Sequence, residues 1–442
     1  MNRHSNEDRR VWLIIGVMTL LTALFIPFSQ SILNVNFTYT VRTVALGGAI
    51  LGIVSGVLGC FAVLRRESLM GDALSHAALP GVCVAFLLVG RELVALLIGA
   101  GIASWLGVQF IRSLLNTTRL KQDTAMGIVL AAWFAAGIAL LAYIQAVPNA
   151  SQAGLDAFIF GQAAAIVESD VQLISGVGVV AFIIVALFWK EFKLVTFDPE
   201  FAHANGFRVT FINSLLSTLI VVAIVLGLQL AGVILMVGML IAPAIAARQW
   251  THKLNQMVML SAVFGAFSGG TGAVLSAVQA NIPTGPMIIV VAFGLVLVSL
   301  AFAPGRGLVW SFIRRLSDRQ RFAAQTTLRD LYKYGQAHGS ADYPVPAAFI
   351  LGIGSANVKV GLRQLEKANY IRRAGDAWVL TVRGAELAAD DAHNQQLWDI
   401  YREYGDELQL PLIMEDRQQD IHSVLPEPAV RLLEHKLKGV MA

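Results

Sequence analysis

Within an otherwise apolar stretch of this chain, GDALSHAALPGVCVAFLLVG, an aspartate and a histidine stand four residues apart as Asp72 and His76. On a helix that spacing puts both side chains on one face. A carboxylate oxygen and an imidazole nitrogen held together suit divalent cations such as manganese, iron or zinc. An ionisable side chain inside a membrane span costs on the order of 2.5–3.5 kcal/mol on insertion scales, so few are kept without a use. The residues alone leave a second arrangement open, in which Asp72 caps the helix while Ser75 and His76 face the cytoplasm.

A second constellation lies in WKEFKLVTFDPEFAHANGFRV, a long connection of mixed charge. Asp198 can cap a short helix there, Pro199 suits its first position and Gly206 can end it, with Glu200 and His203 between them. A connection that merely crosses solvent needs no helix, whereas one that docks into a partner does. Both remain open on the residues alone. No GxxxxGK[ST] phosphate loop occurs anywhere, so any ATP chemistry belongs to a separate subunit. The membrane part carries no catalytic triad, acid–base pair or metalloprotease motif, and no enzyme is expected. The run SGGTG, with Gly269, Gly270 and Gly272, falls in an apolar stretch and reads as close helix packing. Cys60 and Cys83 have no closely spaced partner and read as small apolar fillers.

These residues need a scaffold, and the composition says which kind. The 442 residues are 56% hydrophobic and only 14% charged, where a soluble domain carries about 25% charged residues. The bias is uneven: 11–303 holds few charges outside short connections, and 304–442 looks like ordinary soluble protein. Stretches of the roughly 20 residues a spanning helix needs occur at 11–28, 41–64, 73–90, 93–112, 124–146, 170–189, 209–230, 255–279 and 286–303. A tenth, at 231–247, is interrupted by Pro243 and reads as a short or broken helix. The first follows a charged N-terminus but is long for a secretory h-region, so it is expected to be retained as a span. Arg9 and Arg10, Arg65 and Arg66, Arg119 and Lys121, Lys190 and Lys193, and Arg248 and Lys253 fall in alternate connections, with Arg42 and Arg91 as exceptions. The positive-inside rule then makes both termini cytoplasmic, which asks for an even number of crossings.

Beyond 303 a linker at 304–325 leads to helices expected at 326–336 and 345–352 and to a third, capped by Ser355, with Val358, Leu362 and Leu365 on one face. YIRRAGDAWVLTVRG reads as two short strands around a Gly-Asp turn, completing a winged-helix-like domain at 326–384. The tail, 385–442, is expected to be mainly helical with a break near 408–412. The fold class is thus an all-α polytopic membrane protein of about nine or ten transmembrane helices, 1–303, followed by a small cytoplasmic α+β domain with a helical tail.

GDALSHAALPGV, FIFGQAAAIVESDV, FDPEFAHANGF, VILMVGMLIAPAIAARQW and NIPTGPMIIVVAF, in that order over roughly 45–303, resemble the conserved segments of permeases in the manganese, zinc and iron ABC-uptake family. The resemblance implies a permease subunit of an ATP-driven importer of divalent metal, manganese first, with zinc and iron as alternatives and an iron chelate as a further one. It makes Asp72 and His76 the pathway metal ligands and Asp198, Pro199, Glu200, His203 and Gly206 the ATPase-coupling element. It implies cytoplasmic ATP-binding subunits, a second permease subunit (a related chain or a copy), an extracytoplasmic metal-binding protein, no permanently bound cofactor, and residence in the bacterial inner membrane. The C-terminal part resembles iron- and manganese-dependent winged-helix repressors, which points to His393, Glu415, Asp416, Asp420 and His422 as candidate regulatory metal ligands, although the repressor spacing is not reproduced. Lys359, Arg363, Arg372 and Arg373 could contact nucleic-acid phosphates if the chain were a membrane-anchored regulator. Nucleic acid is not the expected partner.

Overall fold

The computed structural model describes residues 2–31, 37–90, 92–146, 166–279, 282–304, 306–352, 358–414, 417 and 419–441. The chain divides into two compact units, Met1–Trp310 and Ser311–Ala442. The described part of the first is helical: α1 (Asn2–Ser31), α2 (Tyr39–Leu64), α3 (Ser68–Val89), α4 (Leu93–Thr117), α5 (Gln122–Ala146), α6 (Glu168–Leu187), α7 (Trp189–Phe197), α8 (Pro199–Ala204), α9 (Val209–Trp250), α10 (Leu254–Ser276) and α11 (Thr284–Phe302). Nine of the described helices are long and apolar enough to cross a bilayer. Helices are what the hydrocarbon demands, since each backbone N–H and C=O must be satisfied within its own segment. Their outer faces carry exposed Leu88, Leu187 and Val290, a cost in water and none among acyl chains.

The 42 residues of α9 would reach about 63 Å if straight, about twice a hydrocarbon core. They do not run straight. Gly232 sits at φ 77°, ψ 170°, a conformation open essentially to glycine alone. A Cβ placed on Gly227 would lie 2.0 Å from Met236 Sδ. Residues nine apart on a straight helix are separated by about 13.5 Å along the axis, beyond the reach of a methionine. The helix therefore bends sharply at Gly232. The stretch 231–247 is a short helical arm distinct from 209–230 across this kink, as expected, and Pro243 lies within the arm without breaking it.

The tightest packing joins α2 and α10. Gly48 meets Gly269 and Gly52 meets Gly265, and a Cβ on Gly52 would stand 2.1 Å from the Gly265 carbonyl oxygen. Ser261 Oγ donates to Gly56 O at 2.7 Å in the same antiparallel register. The glycine-rich run of α10 thus lets backbones touch, as small residues do in membrane bundles. Gly59 continues the line against Leu240 in the second arm of α9. Cys60 and Cys83 are buried free thiols, Cys60 packed with Phe264 and Met257 in one of the apolar clusters.

The second unit takes in most of α12 (Leu308–Ala337), then β1 (Val345–Pro346), α13 (Ala347–Gly352), α14 (Val358–Lys367), β2 (Ile371–Ala374), β3 (Ala377–Leu380), α15 (Val382–Tyr404), α16 (Ile421–Val424) and α17 (Glu427–Met441). The sheet is antiparallel in the order β1-β3-β2. Val358, Leu362 and Leu365 of α14 are buried in its core with Leu331, Ile350 and Ile371. The stretch 304–325, read as a linker, is helical from Leu308 onward, because its apolar residues recur at helical spacing. Two expectations are corrected. The stretch 345–352 opens as a strand, because Val345 pairs with Trp378. The break in the tail takes in the described residues 405–414, 417, 419 and 420 and is wider than 408–412. Ser355 lies outside the described residues.

Candidate functional site

Glu67 occupies the N-cap of α3, and its backbone dihedrals are non-helical. Asp72 therefore lies more than one turn inside the helix, and the arrangement in which it caps is excluded. Ser75 is buried with its hydroxyl donating to Gly71 O at 2.7 Å, so it does not face the cytoplasm either. The rest of α3 is packed against its neighbours. Gly81 and Gly99 bring α3 and α4 together, a Cβ on Gly81 standing 2.1 Å from the Gly99 carbonyl oxygen. Ser104 Oγ donates to Leu74 O at 2.9 Å, and Leu79 presses on Gly137 of α5. Gly71 faces Val237 and Leu240 on the second arm of α9. Asp72 and His76 stay partly accessible, as do Leu69 and, toward the far end of the helix, Val84, Leu87 and Leu88.

Asp72 Oδ1 and His76 Nε2 are 3.4 Å apart, with side chains 39% and 19% exposed. That gap is long for a hydrogen bond. It fits a shared cation better: two ligand atoms each about 2.1 Å from one metal lie about 3.4 Å apart at a tetrahedral angle and about 3.0 Å apart at a right angle. The imidazole is positioned edge-on against Phe134 of α5 at 4.7 Å between ring centres. Its Nδ1 is buried without a hydrogen-bond partner among the described residues. Among the described residues, no three His, Cys, Asp or Glu side chains gather closely enough to hold a metal. An ion held by this pair would need further ligands to reach the four to six that such ions take.

The second constellation folds locally as its residues dictate. Asp198 caps α8, its Oδ1 accepting from Phe201 N at 2.9 Å, and Pro199 opens the helix. His203 sits in the last turn, and Gly206 follows at φ 81°. Ala202 is fully buried, while Phe197 and Phe201 are more than half exposed and Phe207 is also exposed. Glu200 and His203 are exposed beside them. The aromatic rings were not among the residues singled out from sequence; an apolar side chain in a charged loop is the signal that marks them.

A further polar group had a sequence signal as well, a lone arginine in an apolar run. Arg112 of α4 donates to Ser214 Oγ and, at 3.0 Å, to Ser217 Oγ on the first arm of α9. Nearby, Arg65 Nη2 donates to Glu67 Oε1 at 2.8 Å, both side chains largely buried. The bonds of Arg112 tie α4 to α9, and that of Arg65 braces the α2–α3 connection within itself.

In the second unit, His393, Asp420 and His422 border one cavity of about 410 Å³ together with Asp390, Asp391 and Asn394. Asp420 is occupied as the N-cap of α16, accepting from His422 N at 3.1 Å. Arg329 holds Asp391 in an ion pair. Glu415 and Asp416 lie outside the described residues, as does most of FIFGQAAAIVESDV.

The model of the ABC 3 transport family matches residues 37–303. The chain is 41% identical over 360 residues to the manganese transport system membrane protein MntC of Bacillus subtilis, covering 81% of this chain and 83% of that protein. A match of that length cannot fit within the first 303 residues, so it runs on past the last span. The zinc transport system membrane protein TroC of Treponema pallidum is 47% identical over 278 residues, 63% of this chain and 93% of that one. Among solved structures, PsaBC from Streptococcus pneumoniae in complex with Fab aligns at a TM-score of 0.55 and 33% identity, covering 64% of this chain and 97% of that one.

Proposed function

The chain belongs to the ABC 3 transport family, and on that footing we propose that it is the membrane-spanning permease subunit of an ATP-driven importer of divalent transition-metal ions, manganese foremost. The relatives named for manganese and zinc transport support the substrate class. The observation that carries the role of the site is the Asp72–His76 pair, with oxygen and nitrogen 3.4 Å apart and both side chains partly accessible on α3. Two ligands from this chain leave positions for water and for side chains of a second permease subunit across the pathway. The ion arrives from an extracytoplasmic metal-binding protein, and the pair holds it part-way across. ATP hydrolysis on separate cytoplasmic subunits then alternates access to the two sides, driven through the exposed rings around α8.

The bent α9 bears on topology. With its second arm counted as a crossing, the nine candidate spans become ten, and an even number leaves both termini in the cytoplasm with the arginine-rich connections. The order helix, strand, helix, helix, strand, strand after Leu308 supports a winged-helix-like module in the C-terminal unit. A protein-binding role suits it better than a metal sensor, since Asp420 and Asp391 are engaged within the fold.

Uptake of radioactive manganese into proteoliposomes holding the complete transporter tests this function. Asp72→Ala and His76→Ala should each lower uptake by more than the roughly 10–100-fold that loss of a merely supporting group costs, with assembly intact. Unchanged uptake removes the pair from the pathway. Competition by free manganese against an iron chelate separates an ion path from a chelate path.

A further inference from the structure

Nothing in the permease role calls for the first half of α12, yet that half is built as a surface-seeking helix. Leu308, Phe312 and Leu316 fall at successive i, i+4 positions with Val309 and Ile313 alongside, a continuous apolar stripe at helical spacing. Phe312, Ile313 and Leu316 are 63%, 50% and 44% exposed. The buried residues of α12, Ala323, Thr327, Leu328, Leu331 and Gly335, all belong to its second half. The stripe therefore has no core of its own.

Its start is pinned to the end of the last span. Trp310 Nε1 donates to Phe302 O at 3.1 Å, and Gly307 N to Ala303 O at 2.7 Å. Arg306 reaches Arg248 O and His252 Nδ1 at the end of α9. A tryptophan bonded to the last carbonyls of a spanning helix occupies the depth at which aromatic belts form. Residues 304–322 carry five arginines against a single aspartate, a formal +4 that equals the net charge of the whole chain. Arg315 and Arg319 border the apolar stripe, from which their long stems can snorkel to a headgroup, and Arg314 and Arg321 lie on the opposite face.

We propose that residues 308–322 lie along the cytoplasmic face of the bilayer, with the stripe among the acyl chains and the arginines on anionic phospholipid headgroups, so that the permease binds anionic lipid. A protein partner would bury the stripe, but nothing on such a partner is implied by the clustered arginines. An anionic leaflet beginning where α11 ends meets both the charge and the apolar face. The inference rests on α11 being a span and on a cytoplasmic C-terminus.

Nitroxide labels on single cysteines of the full chain test it, in the assembled transporter in nanodiscs of phosphatidylethanolamine with phosphatidylglycerol. Labels at Phe312→Cys and Leu316→Cys should collide with oxygen far more than with a water-soluble nickel chelate, and a label at Asp318→Cys should show the reverse. The contrast at 312 should shrink severalfold in discs of phosphatidylcholine alone. Equal chelate access at 312 and 318 overturns the proposal, as does shielding of 312 from both reagents, which would assign the stripe to a protein. Equal contrast in both lipids overturns the anionic requirement. A label at Leu297→Cys, half exposed on α11, separates the two failures: chelate access there undoes the span itself, whereas oxygen access there with solvated 312 undoes only the surface helix.

Discussion

Asp72 and His76 owe their setting to side chains that do no chemistry. Gly71, Gly81 and Gly99 let α3 sit hard against its neighbours, and Phe134 fixes the imidazole. The pair itself was legible in the sequence, because ionisable groups one turn apart in an apolar helix are costly and share a face. Its place within the helix was not legible, since Arg66 is only six residues before Asp72; Glu67 as N-cap puts Asp72 in the second turn of α3. Phe134 should matter through position and not through charge. Phe134→Ala leaves both ligands in place and loosens the ring, so manganese uptake should fall while the substrate preference of the transporter stays. A Phe134→Ala transporter with wild-type kinetics would remove this supporting contact from the account.

Among the helices, the α2–α10 pair and α8 carry the clearest consequences. Gly52→Ala places a methyl group against the Gly265 backbone, 2.1 Å from its carbonyl oxygen. Overpacking of this kind costs about 1–3 kcal/mol, read as a lower unfolding temperature of the purified complex. Gly294→Ala on α11 meets nothing within 4 Å and should leave that temperature unchanged or raise it. Equal losses for both would mean that helix contact is not what the glycines serve. For α8, Asp198→Ala removes a cap of about 1 kcal/mol, and Phe201→Ala removes an exposed ring while leaving the cap. Both should reduce the ATPase subunits that copurify with the permease, Phe201→Ala without any loss of thermal stability. A loop that only crosses solvent would tolerate either change. The cap, the opening proline and the closing glycine could be read from spacing alone. The rings around them could not, because periodicity says nothing about which apolar residues of a short loop stay outside. The division of α9 between 209–230 and 231–247 was legible, since the backbone turns at Gly232, whereas Pro243 does not interrupt the second arm.

The whole chain joins a membrane unit to a second unit with apolar cores of its own, one around Leu331 and Leu362 and another around Trp398 and Leu433. The change of composition near 303 revealed this division, since charge density separates lipid-facing from water-facing chain. The β2–β3 hairpin around Gly375 and Asp376 was legible from the local pattern, whereas the pairing of β1 with β3 depended on contacts between residues far apart in sequence, which local patterns do not encode. No residue of the proposed ion path comes from the second unit, so a chain stopped after residue 322 should still take up manganese within about twofold of the full chain, by the same proteoliposome assay. In the proposed function, transport through the assembled molecule rests on a cation bound by one oxygen and one nitrogen of α3. Pulsed electron paramagnetic resonance of manganese(II) held by the purified transporter reads that nitrogen as a hyperfine coupling. The coupling should be present in the wild type and lost in His76→Gln; a wild-type spectrum without it, or a variant that keeps it unchanged, would place the ion somewhere else.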